Sequence, residues 1–265
     1  MFKSIVYEDL PEIQKLQPID WPDILPYIRF YIESPFCFPV KVLKDNRIVG
    51  IGASIVHSNT AWLAHIIVSP EYRNHGVGNS IVEELLSGLS GKKCKSILLI
   101  ATKLGEPVYK KKGFRIVTDY LFFKRDAPTK FHTFSNEIIP FGEKYTQQIF
   151  ALDKKITGED RRILFINHIA DSLLFVKGNK VLGFYLPGLG EGPIIADEIG
   201  AGIELMRFKY AEIDKAVLPA ENIQGTEFLI ENGFKDVSKG YRMILGEDIH
   251  WHPEKIFSRI GGNFG

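Results

Sequence analysis

Tyr72-Arg-Asn-His-Gly-Val-Gly-Asn-Ser-Ile-Val-Glu-Glu-Leu-Leu86 is the stretch on which the reading of this chain turns. Gly76 and Gly78 stand where two patterns meet. Before them, Ala61-Trp-Leu-Ala-His-Ile-Ile-Val68 is an apolar run of strand type, ended by Pro70. After them, Ile81, Val82, Leu85, Leu86 and Leu89 recur at helical spacing. Glycine costs a helix about 1 kcal/mol against alanine, so two glycines at a helix start need a reason. A helix N-terminus carries unpaired N–H groups and the positive end of the helix dipole, which together seat phosphate oxygens. Glycine there removes the Cβ that would hold a pyrophosphate away, and accepts the dihedrals of an anion-binding nest. A plain tight turn between strand and helix is the alternative. Two familiar phosphate motifs do not fit. Ile81 stands where the dinucleotide fingerprint needs its third glycine, and Asn79-Ser80 follow Gly78 where the NTPase loop needs Gly-Lys-Ser/Thr.

Composition narrows the classes. A length of 265 residues predicts one large domain or two of ordinary size. With 45% hydrophobic and 25% charged residues, the chain matches a globular protein with a full core. Its net charge of +1 supplies no field to gather nucleic acid or anionic membrane, so any anionic ligand needs a local seat. Cys37 and Cys94 fit no metal or redox spacing and read as free thiols. The opening Met-Phe-Lys-Ser-Ile-Val-Tyr-Glu-Asp carries acids where a signal peptide is apolar. No apolar run reaches the ~18 residues of a membrane span. The expectation is a cytoplasmic protein without membrane or nucleic-acid partners.

Outward from the glycines, Asp9 caps an expected helix with Pro11 in its first turn, and a second helix is expected over 22–31. Phe38-Pro-Val-Lys-Val-Leu-Lys, Asp45-Asn46 and Arg47-Ile-Val-Gly-Ile-Gly-Ala-Ser-Ile-Val form an expected hairpin. Ser96-Ile-Leu-Leu-Ile-Ala is the next strand, and residues 106–112 are a short helix stopped by Gly113. Residues 114–117 and 120–124 read as two further strands. The order predicts an α+β fold, a mixed and mainly antiparallel sheet flanked by helices. Asp126-Ala-Pro-Thr-Lys reads as a linker, after which the pattern returns. Leu43-Lys-Asp-Asn-Arg-Ile-Val-Gly-Ile aligns with Val176-Lys-Gly-Asn-Lys-Val-Leu-Gly-Phe, and Gly105-Glu-Pro-Val-Tyr-Lys-Lys-Lys-Gly-Phe with Gly225-Thr-Glu-Phe-Leu-Ile-Glu-Asn-Gly-Phe. Two landmarks in one order predict a duplicated domain, 1–127 and 128–265.

Val68-Ser-Pro-Glu-Tyr-Arg-Asn-His-Gly-Val-Gly-Asn resembles the acetyl-CoA signature of the GNAT superfamily of N-acetyltransferases, with Arg73, Gly76 and Gly78 at its fixed positions. Tyr109-Lys-Lys-Lys-Gly-Phe114 resembles a second mark of that superfamily, Tyr-x-x-x-Gly-Phe. The likeness covers residues 1 to about 125. The whole layout resembles tandem GNAT proteins with an active first half and a degenerate second.

The resemblance implies roles. Backbone N–H groups of Asn74, His75, Gly76, Val77, Gly78 and Asn79 would hold pyrophosphate, with Arg73 at its fixed position also binding the coenzyme and Asn79 and Ser80 offering side-chain donors. Ile66, Ile67 and Val68 would pair their backbone with the pantetheine arm, and a backbone N–H there would polarise the thioester carbonyl. Tyr109 would face the departing thiolate. A phenol of pKa ~10 is a weaker acid than a thiol near ~8.5, so a hydrogen bond to developing charge is the safer role than proton transfer. An ammonium acceptor of pKa ~10.4 must lose a proton before attack, and no residue stands out as its base. Trp62 occupies the family's place for one and cannot serve; it would wall the acceptor pocket. His65 is the only titratable side chain of that strand, and strict alternation puts it opposite Trp62, Ala64, Ile66 and Val68. Lys92, Lys93, Lys95 and Lys110, Lys111 and Lys112 read as solvated surface, with a contact to the coenzyme's 3′-phosphate as the alternative.

The second half tests this reading. Asp197-Glu-Ile-Gly-Ala-Gly-Ile-Glu-Leu keeps Gly200 and Gly202, but no arginine precedes them. Asp197 and Glu198 are expected to cap the helix and repel pyrophosphate. Leu229 stands at the position of Tyr109. A second site is therefore not expected, and this half would shape the acceptor pocket or pair subunits in a homodimer. Asp248-Ile-His-Trp-His-Pro-Glu254 would need a fourth ligand to bind a metal, and none is expected. Residues 261–265 read as a flexible or docked terminus. The resulting expectation is acetyl transfer from acetyl-CoA, as co-substrate, to a primary amine on a small molecule or peptide by direct attack. A non-catalytic acyl-CoA sensor and an enzyme of longer acyl-CoA are the alternatives.

Overall fold

The computed structural model describes residues 1–265 except Asp20, 128–130 and His132. Residues 128–130 of the expected linker therefore lie outside the described residues. The chain divides into two compact units, one of Met1–Arg115, Ile244–Glu247 and Gly262–Phe264, the other of Ile116–Met243, Asp248–Gly261 and Gly265.

The first unit begins with β1 (Phe2–Ser4), α1 (Leu10–Ile13) and α2 (Leu25–Glu33). It continues through β2 (Cys37–Lys44), β3 (Arg47–His57) and β4 (Thr60–Val68) to α3 (Val77–Leu89), β5 (Ser96–Ala101) and α4 (Glu106–Lys110). The strands lie in the order β1-β2-β3-β4-β5. All neighbours are antiparallel except β4 and β5. Asp45 and Asn46, both left-handed, turn the β2–β3 hairpin. Ile244–Glu247 runs beside the start of β5, where the Glu247 N–H donates to Lys95 O at 3.0 Å. Helix α3 buries Ile81, Val82, Leu85 and Leu89. It lies so close to β3 that a Cβ on Gly52 would stand 2.7 Å from Ile81 Cγ2.

Asp9 does not cap α1. Its carboxylate reaches back to the Val6 N–H at 2.8 Å and pairs with Lys41 Nζ at 2.5 Å. The buried lysine is the stronger claim on the charge.

The second unit takes β6 (Arg115–Lys124), β7 (Ile138–Pro140), α5 (Thr146–Thr157), α6 (Arg162–Phe165), β8 (Leu173–Lys177), β9 (Lys180–Tyr185) and β10 (Ile194–Ala196). It closes with α7 (Ile199–Lys209), β11 (Lys215–Pro219), α8 (Ile223–Glu231), β12 (Lys235–Gly246) and β13 (Ile256–Ser258). Its strands run β12-β6-β11 in one sheet and β13-β10-β9-β8-β7 in another. The two strands expected over 114–124 are one. Thr118 and Asp119 do not break it, because β11 pairs along it up to Tyr120 and the Ala220 N–H continues to Asp119 O at 2.9 Å. Leu205, Met206, Leu218, Leu229 and Phe257 lie in its core.

The duplication holds in backbone geometry. The β2–β3 and β8–β9 hairpins are the two aligned Lys-x-Asn segments. Phe114 N–H bonds Tyr109 O at 3.1 Å, and Phe234 N–H bonds Leu229 O at 3.0 Å. Gly113 and Gly233 both turn at positive φ, 87° and 82°. Tyr109 and Leu229 are therefore equivalent positions. The chain is an α+β protein whose antiparallel-dominated sheets are flanked by helices.

Candidate active site

In the first unit, β4 and β5 pair in parallel over Thr60↔Ser96, Ala61↔Ile97 and Trp62↔Leu98 only. Beyond Trp62 no further register joins them, so the carboxyl halves of both strands are released from each other. Helix α3 follows β4, and α4 follows β5, at that same carboxyl end. Crevices of this kind, outside the carboxyl ends of strands, are where α/β sheets bind ligands.

Gly76 caps α3 in the left-handed region at φ 81°, preceded by Asn74 at φ 62°. The first bond of the helix is Ser80 N–H to Gly76 O at 3.0 Å. The N–H groups of Val77, Gly78 and Asn79 therefore project from the helix end without intrahelical partners. No acid lies in the first turn of α3. A Cβ on Gly76 would meet nothing within 4 Å, so this glycine serves the backbone turn and open space rather than packing. Arg73 Nε donates to Val68 O at 3.2 Å, while its terminal nitrogens bond nothing among the described residues. His75 is exposed and donates from Nδ1 to Arg73 O at 2.7 Å. The side chains of Asn79 and Ser80 are engaged elsewhere, Asn79 with Glu83 at 3.2 Å and Ser80 with Gly76 O at 3.2 Å. The donors left at this helix end are backbone N–H groups and the Arg73 guanidinium, a set that fits a pyrophosphate.

Tyr109 stands in the last turn of α4 with its ring edge-on to Phe114, centroids 6.0 Å apart. Its hydroxyl bonds no protein group among the described residues. Burial holds the phenol well above its ordinary range, so it remains a neutral donor at any working pH.

Strict alternation fails along β4. Ile67 pairs Ile51 and Ala64 pairs Ala53, so Gly52 faces both His65 and Ile66, and His65 turns at φ 47°. This is a β-bulge, and it re-aims the histidine. His65 accepts or donates through Nδ1 with the Tyr31 hydroxyl at 2.8 Å. Its ring lies against Tyr27, at 5.2 Å, and against Trp21 at 6.0 Å. Burial lowers its pKa from 6.5 to about 4, so it is neutral at pH 7. Trp62 is fully buried among the core side chains. Ile66 and Val68 are half-buried, and Ile67 is buried in the core. Of the basic runs, Lys95 meets Glu247, Lys110 meets Glu106 and Lys112 meets Glu83, while Lys92 covers the Phe38 ring.

The equivalent place in the second unit is closed. Residues 69–76 join β4 to α3, whereas 197 and 198 alone join β10 to α7, so the loop that carries Arg73 has no counterpart. Neither acid caps α7 with its side chain. Asp197 instead pairs with Lys155 and Lys255, each at 2.7 Å, and these hold its pKa down at about 2. Strand β13 runs antiparallel to β10 and packs against β11 and α7. It takes the flank of β10 that β4 leaves open beyond Trp62. The Phe257 ring fills the space over Gly202. Asn222, buried, ties α8 to this strand by accepting from the Gly225 N–H at 2.8 Å and donating to Ile256 O at 2.9 Å. A cavity of about 350 Å³ remains beside it, with Asp197, Glu198 and Glu254 against Lys255 alone, an unfavourable lining for an anion. Sequence reading saw the lost arginine and tyrosine but not β13. A three-residue strand paired across sixty residues leaves no local signal.

Among the described residues, no helix is long and apolar enough to cross a membrane, and no group of three or more His, Cys, Asp or Glu is arranged to hold a metal.

Residues 37–116 match the model of an acetyltransferase (GNAT) domain, and residues 149–258 match another acetyltransferase (GNAT) domain model. A candidate acetyltransferase from Pyrococcus horikoshii superposes with a TM-score of 0.80 at 19% identity, over 100% of this chain and 95% of its own. A GCN5-related N-acetyltransferase from Sphaerobacter thermophilus gives 0.68 at 14% identity, over 93% and 95%. A GCN5-related N-acetyltransferase from Anabaena variabilis ATCC 29413 gives 0.58 at 14% identity, over 92% and 72%. At these identities the likeness is one of fold. No curated protein matches the sequence.

Proposed function

From a chain that carries two GNAT acetyltransferase domains in tandem, we propose an N-acetyltransferase whose first domain moves an acetyl group from acetyl-CoA to a primary amine. The observation that carries this reading is the open end of α3. Backbone N–H groups project there beside strands that have parted, with no carboxylate in the first turn. The coenzyme supplies an activated thioester, and the residues do the rest. Val77, Gly78 and Asn79 would receive the pyrophosphate, with Arg73 adding charge. The backbone of Ile66, Ile67 and Val68 would align the pantetheine arm along the released edge of β4 and orient the carbonyl for attack. The amine attacks the carbonyl directly. The neutral amine forms the C–N bond, the C–S bond breaks with its electron pair going to sulfur, and the proton shed by nitrogen passes to solvent as the thiolate is released. Tyr109, a neutral donor, would hydrogen-bond the sulfur as charge develops.

The second domain supports one site per chain rather than two, because β13 fills the flank of β10. The acceptor is a small-molecule or peptide amine. The test is a screen of primary amines with acetyl-CoA, followed by free-thiol release and by mass of the product. Amine-dependent thiol release with an acetylated product supports the transferase. Acetyl-CoA binding without turnover of any amine favours an acyl-CoA sensor, and turnover only with longer thioesters favours a different acyl donor.

A further inference from the structure

We propose that Asn263 is a positioning residue for the acceptor side of the first domain: through Tyr31 it holds His65 as an Nε2–H donor to an oxygen carried by the amine substrate. This rests on the reading of that domain as the acyl-transfer domain.

Three hydrogen-bonding groups stand in series. The Asn263 amide Nδ2 donates to the Tyr31 hydroxyl at 2.8 Å, and both side chains are buried. An amide nitrogen is a donor only, so the Tyr31 oxygen is the acceptor in this bond. Tyr31 has no exposed surface, and its own proton must go to a partner. His65 Nδ1, 2.8 Å away, is the acceptor available. Nδ1 is therefore the bare nitrogen of the ring and Nε2 carries the proton. Nε2 itself bonds no group among the described residues, and it is absent from their enclosed unpartnered atoms. It is left for a ligand or solvent.

The relay is held at both ends. Phe264 packs edge-on against Phe30 at 5.6 Å and Tyr31 at 6.2 Å, which fastens residues 262–264 into the first unit. Tyr27, Trp21 and Tyr31 clamp the His65 ring on several sides. The bulge places His65 immediately before Ile66, at the edge of β4 that β5 has left. A protonated Nε2 cannot take a proton from the incoming ammonium. It can donate to a hydroxyl, carboxylate or carbonyl oxygen near the amine. The favoured acceptor is thus an oxygen-bearing amine rather than a bare alkylamine.

The tautomer is read by NMR on the full chain labelled with 15N-histidine, with His65 assigned from the spectrum of His65→Gln. The proposal expects His65 Nδ1 as the unprotonated nitrogen and Nε2 as the protonated one in the wild type, with mixed tautomers in Asn263→Ala and Tyr31→Phe. A protonated Nδ1 in the wild type overturns it. The kinetic arm uses an active oxygen-bearing amine. His65→Ala should raise the KM for the amine about 5- to 10-fold, the worth of one hydrogen bond, with the KM for acetyl-CoA unchanged. His65→Gln, which keeps an N–H at similar reach, should restore most of it. An unchanged amine KM in His65→Ala, or no rescue by Gln, overturns the donor role. The NMR arm does not depend on turnover, so failure of the transferase reading and failure of this one are separately visible.

Discussion

The ring of Phe257 lies where Gly202 has no side chain: a Cβ at Gly202 would stand 2.3 Å from that ring. Gly200, two residues earlier in the same helix, has nothing within 4 Å of its absent Cβ. The Gly-x-Gly of the second half thus survives for a packing reason at its second position and for none at its first. Gly202→Ala should destabilise the protein by about 1–3 kcal/mol through overpacking. Gly200→Ala should be neutral or stabilise by up to about 1 kcal/mol, as alanine for glycine in a helix. Urea unfolding of the two variants separates them. Equal effects would contradict the packing of β13 over α7.

Tyr109 gives a kinetic prediction. Its hydroxyl has no protein partner among the described residues, and burial keeps it protonated. Tyr109→Phe should lower kcat by the worth of a hydrogen bond to a charged group, about 1.5–3 kcal/mol or roughly 10- to 150-fold. The Kd for acetyl-CoA should hold, because the ring still packs on Phe114. Steady-state rates together with fluorescence or calorimetric binding check both halves. An unchanged kcat removes Tyr109 from the mechanism.

His65 makes stability depend on pH. Its pKa is lowered from 6.5 to about 4 by burial among aromatic rings. Between those values the unfolded chain binds the proton and the folded one does not, so stability falls as pH falls. The contribution is complete above about pH 6.5 and is lost on approach to pH 4. His65→Gln should show a shallower fall of Tm between pH 7 and 4.5 than the wild type. Equal slopes in differential scanning calorimetry would place the acid sensitivity elsewhere.

Much of this fold was legible in sequence because its signals are local. Asp45-Asn46 between apolar runs gave the first hairpin, and the spacing of Ile81, Val82, Leu85 and Leu89 gave α3. The second half was found by two short repeats, and Phe114 and Phe234 confirm the alignment through the same backbone bond. The bulge at His65 was not legible. Side-chain alternation assumes one register, and an extra residue opposite Gly52 changes it without any change of residue type. The full burial of Trp62 was not legible either, since family position says nothing about which strand face is packed. Nor was the docking of Asn263 on Tyr31 legible, a contact that joins residues 232 positions apart.

The central claim is that the free N-terminus of α3 seats acyl-CoA and that the second domain has no such seat. Isothermal titration of acetyl-CoA into the wild type and Gly78→Asp tests it most directly. A Cβ at Gly78 meets only Val68 Cγ2 at 3.7 Å, an ordinary contact, and Gly78 is not in the left-handed region. An aspartate therefore fits, and its charge at a helix start should stabilise the fold by about 0.3–1 kcal/mol. It should also repel pyrophosphate. The prediction is one site per chain in the wild type, with binding abolished in a Gly78→Asp protein whose Tm is equal or higher. Two equivalent sites in the wild type, or undiminished binding in Gly78→Asp, would contradict it.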